Sequence, residues 1–210
     1  MSDPMACDPM KDVSRREALR NIGAITLTTF GLNVVSAEGA QHVHNAVREV
    51  KKAAQGAYKP KRFTAAEYKT LRRLADLIIP ADEHSQGALA GGAPEFIDFL
   101  SSQSGELAEI YTGGLAWLDH EMRRRYGASF VEARPEQQTA LLDLIAYRKN
   151  DSPELGPGIR FFTWVRNMTV DAFYTSKAGM DDLGFLGNGA MSEFSVPASA
   201  IEYAVKRSGL

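Results

Sequence analysis

The second half of the chain contains the run IRFFTWVRNMTVDAFYTSK at residues 159–177. Its large apolar side chains recur every three or four positions, which is the spacing of one face of an α-helix. Phe161, Trp164 and Val165 share that face, and Phe162 lies about 100° around the helix axis. The pattern therefore predicts a helix from Ile159 to Lys177.

Several preceding segments show the same helical spacing, and none alternates apolar and polar residues as a strand does. The longest is closed by Gly127. Thr64 and Glu67 form a capping box at the start of an earlier helix, which Pro80 stops. The predicted helices cover residues 64–79, 94–100, 105–126, 134–149 and 159–177, with a shorter amphipathic segment at 42–54. We therefore expect an all-α fold, a single helical domain of five to six helices with extended N- and C-terminal segments.

The first residues of the chain resemble an export signal. Arg15 and Arg16 precede an apolar run at 22–35 and small residues at 35–37, which is typical of the bacterial twin-arginine leader. The apolar run has roughly fifteen residues, fewer than the ~20 that cross a bilayer as a helix, so cleavage is favoured over retention as an anchor. Because this route carries folded proteins, we expect a periplasmic protein that holds a cofactor or travels with a partner that does.

These features divide the chain into four predicted parts. They are a twin-arginine signal peptide at 1–37, an N-terminal arm or linker at 38–62, a helical domain at 63–190 and a C-terminal tail at 191–210.

Composition and motifs exclude several classes of function. The formal net charge of -2 gives no electrostatic case for binding nucleic acid or an anionic membrane. Cys7 is the one cysteine and lies in the leader, so the mature part has no disulfide, thiolate nucleophile, cysteine-ligated cluster or covalent haem. The sequence has no dinucleotide fingerprint, phosphate loop or nucleophile elbow. We therefore expect no cofactor, metal ion or catalytic residue in this chain.

One polar cluster supports an alternative function. Asp82, Glu83 and His84 adjoin each other, and carboxylates beside an imidazole can serve acid–base catalysis or bind a metal. On that interpretation the chain is a stand-alone exported metal-binding or catalytic protein, although a solvated loop at a helix end is the favoured explanation. His42 and His44 lie on different faces of a helix, so they do not form a site together.

Large aromatic side chains are numerous for so few helices, which raises the question of what covers them. The set is Trp117, Phe161, Phe162, Trp164, Phe173 and Tyr174. Packing in the core and burial by another protein both account for this set.

The order of short motifs resembles the gluconate 2-dehydrogenase subunit 3 family over about residues 63–188. The motifs are Phe63-Thr64-x-x-Glu67, Leu74-x-Asp76-x-Ile78-Ile79-Pro80-x-Asp82, Gly87-Ala88, Ala90-Gly91, Phe96-Ile97-Asp98, Gly114-Leu115, Leu118-Asp119, Phe161-Phe162, Val165-Arg166, Thr169, Tyr174 and Leu183-Gly184-Phe185-Leu186-Gly187-Asn188. Each motif is weak alone, and their order is specific.

The resemblance implies the small subunit of a periplasmic FAD-dependent sugar or sugar-acid dehydrogenase. In that family the large subunit, similar to glucose–methanol–choline oxidoreductases, holds FAD and oxidises the substrate, and a cytochrome c commonly accepts the electrons. The small subunit assists folding and export of the large one. We expect its partner to contact the loop at 81–93, the aromatic helix and the segment at 183–188, through Phe161, Phe162, Trp164, Tyr174, Phe185 and Asn188.

Overall fold

A computed structural model describes residues 36–185 and 196–208, and every regular element within them is a helix. In chain order these are α1 Ala37–Ala53, α2 Ala65–Ile78, α3 Gly87–Ala90, α4 Ala93–Gln103, α5 Gly105–Tyr126, α6 Pro135–Ile145, α7 Gly156–Tyr174, α8 Lys177–Asp182 and α9 Ala198–Ser208, with a 3-10 helix at Arg148–Asn150. The all-α prediction is confirmed. The nine α-helices of the described residues exceed the five to six predicted, because α3 and α8 are too short to show an apolar period and α9 lies in the predicted tail.

Helix α7 is the centre of the domain. Helices α2 to α6 and α8 all contact it. It crosses α5 closely because a glycine faces an aromatic ring at two points. A Cβ on Gly114 would lie 2.0 Å from the Phe161 ring, and a Cβ on Gly158 would lie 2.2 Å from the Trp117 ring. The two rings therefore fill the space that side chains at the glycines would otherwise occupy.

Helix α5 has the predicted bounds, because both of its ends are marked by local sequence. The Ser104 hydroxyl accepts a hydrogen bond from the Leu107 N–H, and Gly127 ends the helix with a φ of 74°. The predicted capping box of α2 is also present, with Thr64 and Glu67 each accepting from the other's backbone N–H.

Helices α6 and α7 differ from their predicted bounds. Helix α6 ends at Ile145 rather than at residue 149, and the backbone becomes extended at Tyr147. Helix α7 begins at Gly156 rather than at 159, because Pro157 suits a first turn. It ends at Tyr174 rather than at 177, because Ser176 caps the separate helix α8.

The segment expected to be an arm or linker begins with a packed helix. Ala40, Val43 and Val47 of α1 are buried, and α1 contacts α4. The Lys51 ammonium lies 2.9 Å from the carboxylate of Glu95, which is buried on α4. The apolar spacing of α1 therefore reflects packing against the domain.

The extended backbone after α1 is held by one buried carboxylate. Asp98 is fully buried on α4 and accepts hydrogen bonds from the backbone N–H groups of Lys61, Arg62 and Phe63, at 2.7, 3.0 and 3.0 Å. The Tyr58 hydroxyl donates to the same carboxylate at 2.8 Å. Four donors on one carboxylate fix the path of the chain into α2.

A buried acid also ties the end of α5 to the loop before α7. Glu121 is 3% exposed and accepts two hydrogen bonds from Arg124 and one from Arg125. Arg124 pairs in turn with Glu154. Hydrogen bonding to Arg124 is the main reason that the pKa of Glu121 falls to about 2.

Candidate partner-binding surface

The aromatic side chains of α7 divide between the interior and the surface. Phe161 is 4% exposed and Phe162 is 9% exposed, so both already pack within this chain. Phe161 also meets the Tyr111 ring edge to face, with 6.0 Å between the ring centroids. These two predicted interface residues are thus largely covered by the domain itself.

Trp164 is neither fully buried nor fully exposed. It is half-buried and packs against the core. It also lines an open groove of about 370 Å³ together with Arg148, Ile159, Arg160 and Thr163.

The C-terminal end of α7 carries apolar side chains that the described residues leave partly exposed. Val170 is 38% exposed and Tyr174 is 36% exposed, and their spacing of four places them on one face of the helix. Tyr174 contacts Phe173 edge to face at 5.0 Å between centroids. Asn188, which was also predicted to contact the partner, lies outside the described residues.

Helix α8 packs closely on this end of α7. A Cβ on Gly179 would lie 2.2 Å from the Phe173 carbonyl oxygen and 2.8 Å from the Tyr174 Cα, so a larger residue would push the two helices apart. The Ser176 hydroxyl donates to the Phe173 carbonyl at 2.6 Å and accepts from the Gly179 N–H at 3.2 Å. These contacts fix α8 against α7.

The residues after α8 are exposed and yet held in a defined turn. The Phe185 N–H donates to the Met180 carbonyl, and the Gly184 N–H donates to the Asp181 carbonyl. With Gly184 at a φ of 60°, this is the Schellman arrangement that ends a helix. Leu183 is 61% exposed and Phe185 is 52% exposed.

Together these exposed side chains form what we call the α7–α8 patch. Its members are Val170, Tyr174, Leu183 and Phe185. Among these four, Tyr174 and Phe185 were predicted as interface residues. Sequence reasoning missed Val170 and placed Leu183 only within a contact segment, because exposure depends on how α7 and α8 pack.

Helix α9 has a second uncovered apolar face. All of its residues are exposed. Ile201 and Val205, separated by one turn, are 51% and 47% exposed, and Ala198 and Ala204 lie on the same face. A helix of this length is marginal in water without packing.

The acidic loop at residues 82–84 is arranged as a solvated turn. One carboxylate oxygen of Asp82 accepts from the backbone N–H groups of His84 and Ser85, at 2.8 and 2.6 Å. These hydrogen bonds lower the pKa of Asp82. The Glu83 and His84 side chains are 86% and 84% exposed and lie 3.5 Å apart. In the described part of the chain, no three His, Cys, Asp or Glu side chains are grouped so that they could hold a metal ion.

The two histidines in the first half of α1 differ in how exposed they are. His42 is exposed, whereas His44 is half-buried, with its Nε2 3.0 Å from the Thr175 hydroxyl and its ring 4.9 Å from the Phe96 ring. The pKa of His44 is lowered mainly by burial, and the positive charge of Arg48 lowers it further. His44 thus helps to join α1 to the end of α7.

The N-terminal features lie mostly beyond what the structure describes. Arg15 and Arg16 fall outside the described residues. None of the helices within residues 36–185 and 196–208 combines the length and apolarity needed to cross a membrane.

Comparison with known proteins identifies a family. Residues 65–191 match the family model described as Gluconate 2-dehydrogenase subunit 3, which is more than half of the chain and confirms the resemblance found in the sequence. Neither a curated protein nor a solved structure matches the chain significantly. The α7–α8 patch lies within the matched residues, whereas α1 and α9 lie outside them.

Proposed function

This chain belongs to the gluconate 2-dehydrogenase subunit 3 family, and from that membership we propose that it is a non-catalytic subunit of a periplasmic FAD-dependent sugar or sugar-acid dehydrogenase. Its partner is a flavin-bearing large subunit of glucose–methanol–choline type. That partner binds FAD and oxidises the substrate, and a cytochrome c receives the electrons. The observation that carries the proposal is the match over residues 65–191 to a family described as one subunit of a dehydrogenase.

The α7–α8 patch supports a role in binding another protein. The patch consists of exposed aromatic and aliphatic side chains on and after two helices that contact each other, and exposed apolar surface of this kind is typical of sites that bind another protein. The loop at 82–84 supports a non-catalytic role, because the Asp82 carboxylate is occupied by the backbone of its own turn and its neighbours are open to solvent.

Binding would stabilise the large subunit by mass action. A subunit that binds only the folded flavoprotein stabilises it by about 2.7 kcal/mol when its free concentration is a hundred times Kd. The leader with Arg15 and Arg16 would then direct the assembled pair to the twin-arginine route. A large subunit without a leader of its own would depend on this chain both for folding and for export.

Omission of this chain tests the proposal. The flavoprotein is expressed with and without it, and FAD-linked sugar oxidation is measured in the periplasmic fraction. We expect the periplasmic activity to be lost without this chain. Undiminished periplasmic activity of the flavoprotein alone would overturn the proposal. Asp82→Asn with His84→Gln addresses the alternative of a catalytic or metal site in this loop: a variant that still binds the flavoprotein should keep the activity of the co-expressed pair.

A further inference from the structure

We infer that helix α1 controls removal of the leader, because the bond at which the leader would be cut lies in the first turn of this helix. The inference rests on the export leader that the proposed function assigns to the chain. It adds a step to that function: in the folded chain, cleavage between Ala37 and Glu38 requires the N-terminal end of α1 to open.

The position of the cut follows from the small residues at 35–37. Export leaders end with small side chains at the first and third positions before the bond that the leader peptidase cuts. Ala37 and Val35 occupy these two positions when the cut falls between Ala37 and Glu38. This bond is therefore the expected cleavage site.

The structure places that bond inside a helix. Ser36 is the N-cap of α1, and its hydroxyl accepts a hydrogen bond from the Gly39 N–H at 3.1 Å. The Ser36 carbonyl accepts from the Ala40 N–H at 2.8 Å. Ala37 and Glu38 are the first two residues of the helix, and both are exposed. The bond is thus protected by its backbone conformation rather than by burial.

A helical backbone does not fit the active site of a protease. Clefts of this kind bind the substrate as an extended strand and form hydrogen bonds with its backbone N–H and C=O groups. The two hydrogen bonds that Ser36 accepts therefore have to break before the bond after Ala37 can be cut.

Packing of α1 against the domain holds its first turn closed. Ala40, Val43 and Val47 are buried, and α1 contacts α4. At the other end of the helix, Lys51 pairs with the buried Glu95 at 2.9 Å. Because a protease cleft holds several residues on each side of the bond, the segment to be extended reaches the buried Ala40. Cleavage therefore requires the start of α1 to leave the domain.

The twin-arginine route makes this arrangement relevant to processing. It carries folded proteins, so the peptidase would meet α1 already docked rather than an unfolded chain. When a docked segment opens and closes faster than it is cut, the rate of proteolysis follows the population of the open form. Helix α1 lies outside residues 65–191, which match the family model, and this location agrees with a role tied to the leader.

Substitutions on the two faces of α1 test the inference. Val43→Ser with Val47→Ser removes two buried side chains, leaves residues 35–40 unchanged and hardly alters intrinsic helix propensity. The control, Gln41→Ser with Asn45→Ser, replaces two exposed residues of the same helix. Each full chain, with its leader, is incubated with purified bacterial leader peptidase, and mass spectrometry gives the position and the rate of the cut. Circular dichroism confirms that each variant keeps its helices.

We expect the variant on the buried face to be cut at least about tenfold faster than wild type, because the loss of buried aliphatic groups raises the population of open α1. The control should stay within about twofold of wild type, as is usual for surface substitutions. Equal rates for wild type and the buried-face variant would overturn the inference and leave the proposed leader in place.

An insertion moves the bond out of the helix without removing any contact of α1. Four residues, Gly-Ser-Gly-Ser, are placed after Glu38, so that the residues before the cut are unchanged and the cut falls in a flexible linker. We expect cleavage at least about tenfold faster than in wild type. The same four residues placed after Gln55, in the exposed turn that follows α1, should leave the rate unchanged.

The outcomes of the insertion separate the inference from the proposed function. An unchanged rate after insertion at Glu38, with wild type cut at the same bond, would overturn the inference alone. If no chain is cut between Ala37 and Glu38, including the one with the linker at Glu38, the leader assigned by the proposed function fails together with the inference.

Discussion

The two ends of helix α7 use similar residues for different purposes. Towards its N-terminal end, Phe161 is buried against α5, where Gly114 leaves room for the ring. Beyond its C-terminal end the side chains are more exposed: Tyr174 is 36% exposed although its ring contacts Phe173, and Phe185 is 52% exposed. Whether an aromatic side chain of α7 is buried therefore depends on which neighbouring residues pack against it.

This difference distinguishes the residues that stabilise the fold from those that are available to bind a partner. At the α5–α7 crossing, glycine and ring fit together within the chain, so the contact contributes to folding. In the α7–α8 patch, the exposed fraction contributes little to folding and is free to contribute to association. Substitutions in the first region should change the free energy of unfolding, and those in the second should change the affinity for a partner.

The largest expected effect comes from shortening a ring at the crossing. Phe161→Ala should lower the free energy of unfolding by about 3–5 kcal/mol, because it leaves a cavity between two helices. The matched variant in the patch, Phe185→Ala, should change it by less than about 0.5 kcal/mol, since the ring is 52% exposed. Urea unfolding followed by circular dichroism measures both. Equal losses in the two variants would remove the distinction between the regions.

A smaller effect is expected from filling the space opposite the ring. Gly114→Ala should destabilise the chain by about 1–3 kcal/mol, because its Cβ would meet the Phe161 ring at 2.0 Å. The adjacent residue provides the control. Gly113 is exposed, with no atom within 4 Å of a Cβ, so Gly113→Ala should stabilise α5 by up to about 1 kcal/mol. Thermal unfolding of the two variants should shift in opposite directions, and a shared direction would contradict the close crossing.

A buried and an exposed ion pair are also expected to differ in their contribution to stability. Glu121→Gln should cost on the order of 2 kcal/mol at pH 7, since charge-assisted hydrogen bonds to Arg124 and Arg125 are lost. The pKa of Glu121 is lowered from 4.5 to about 2 in the folded chain, so its contribution is present above pH 4.5 and is lost as the pH falls towards 2. Unfolding free energies measured across this range should fall less steeply in the variant than in wild type.

The exposed pair of Lys177 and Asp181 on α8 serves as the control for that experiment. Asp181→Asn should have an effect of at most about 0.5 kcal/mol, as is usual for surface pairs. A loss as large as that of Glu121→Gln would show that the patch region is held together as firmly as the crossing.

The smallest predicted effect concerns the attachment of α1 to the end of α7. The pKa of His44 is lowered below 6.5, mainly by burial, so the neutral form contributes stability above pH 6.5 that is lost as the pH falls through the lowered pKa. His44→Gln should reduce the dependence of the stability of α1 on pH. His42→Gln, at an exposed position, should leave that dependence unchanged. Amide exchange of α1 at pH 7 and pH 5 provides the measurement, and an equal slope in both variants would contradict the role of His44.

The sequence predicted most of the helical elements, because their signals are local. Ser104 and Gly127 mark the ends of α5, and Thr64 and Glu67 mark the start of α2. Helix α8 was missed because six residues cannot display an apolar period. The docking of α1 was also not foreseen, since it depends on contacts with residues as distant as Glu95 and Thr175.

The candidate surface was only partly predictable for the same reason. The local pattern identifies Phe161 and Tyr174 as large apolar residues of one helix, but it does not show that Gly114 lies opposite the first. Pairing between α5 and α7 is long-range, and no local rule determines it. The exposure of Tyr174 and Phe185 depends on how α7 and α8 pack against each other, which no local pattern determines.

The most direct test of the proposed escort role is the location of the flavoprotein when the leader is impaired. Arg15→Lys with Arg16→Lys leaves residues 36–208 unchanged, so the chain should still fold and bind its partner. Cell fractionation with an FAD-linked activity assay follows the partner. We expect the flavoprotein to remain in the cytoplasm together with this variant. Normal delivery of the flavoprotein to the periplasm would contradict the account.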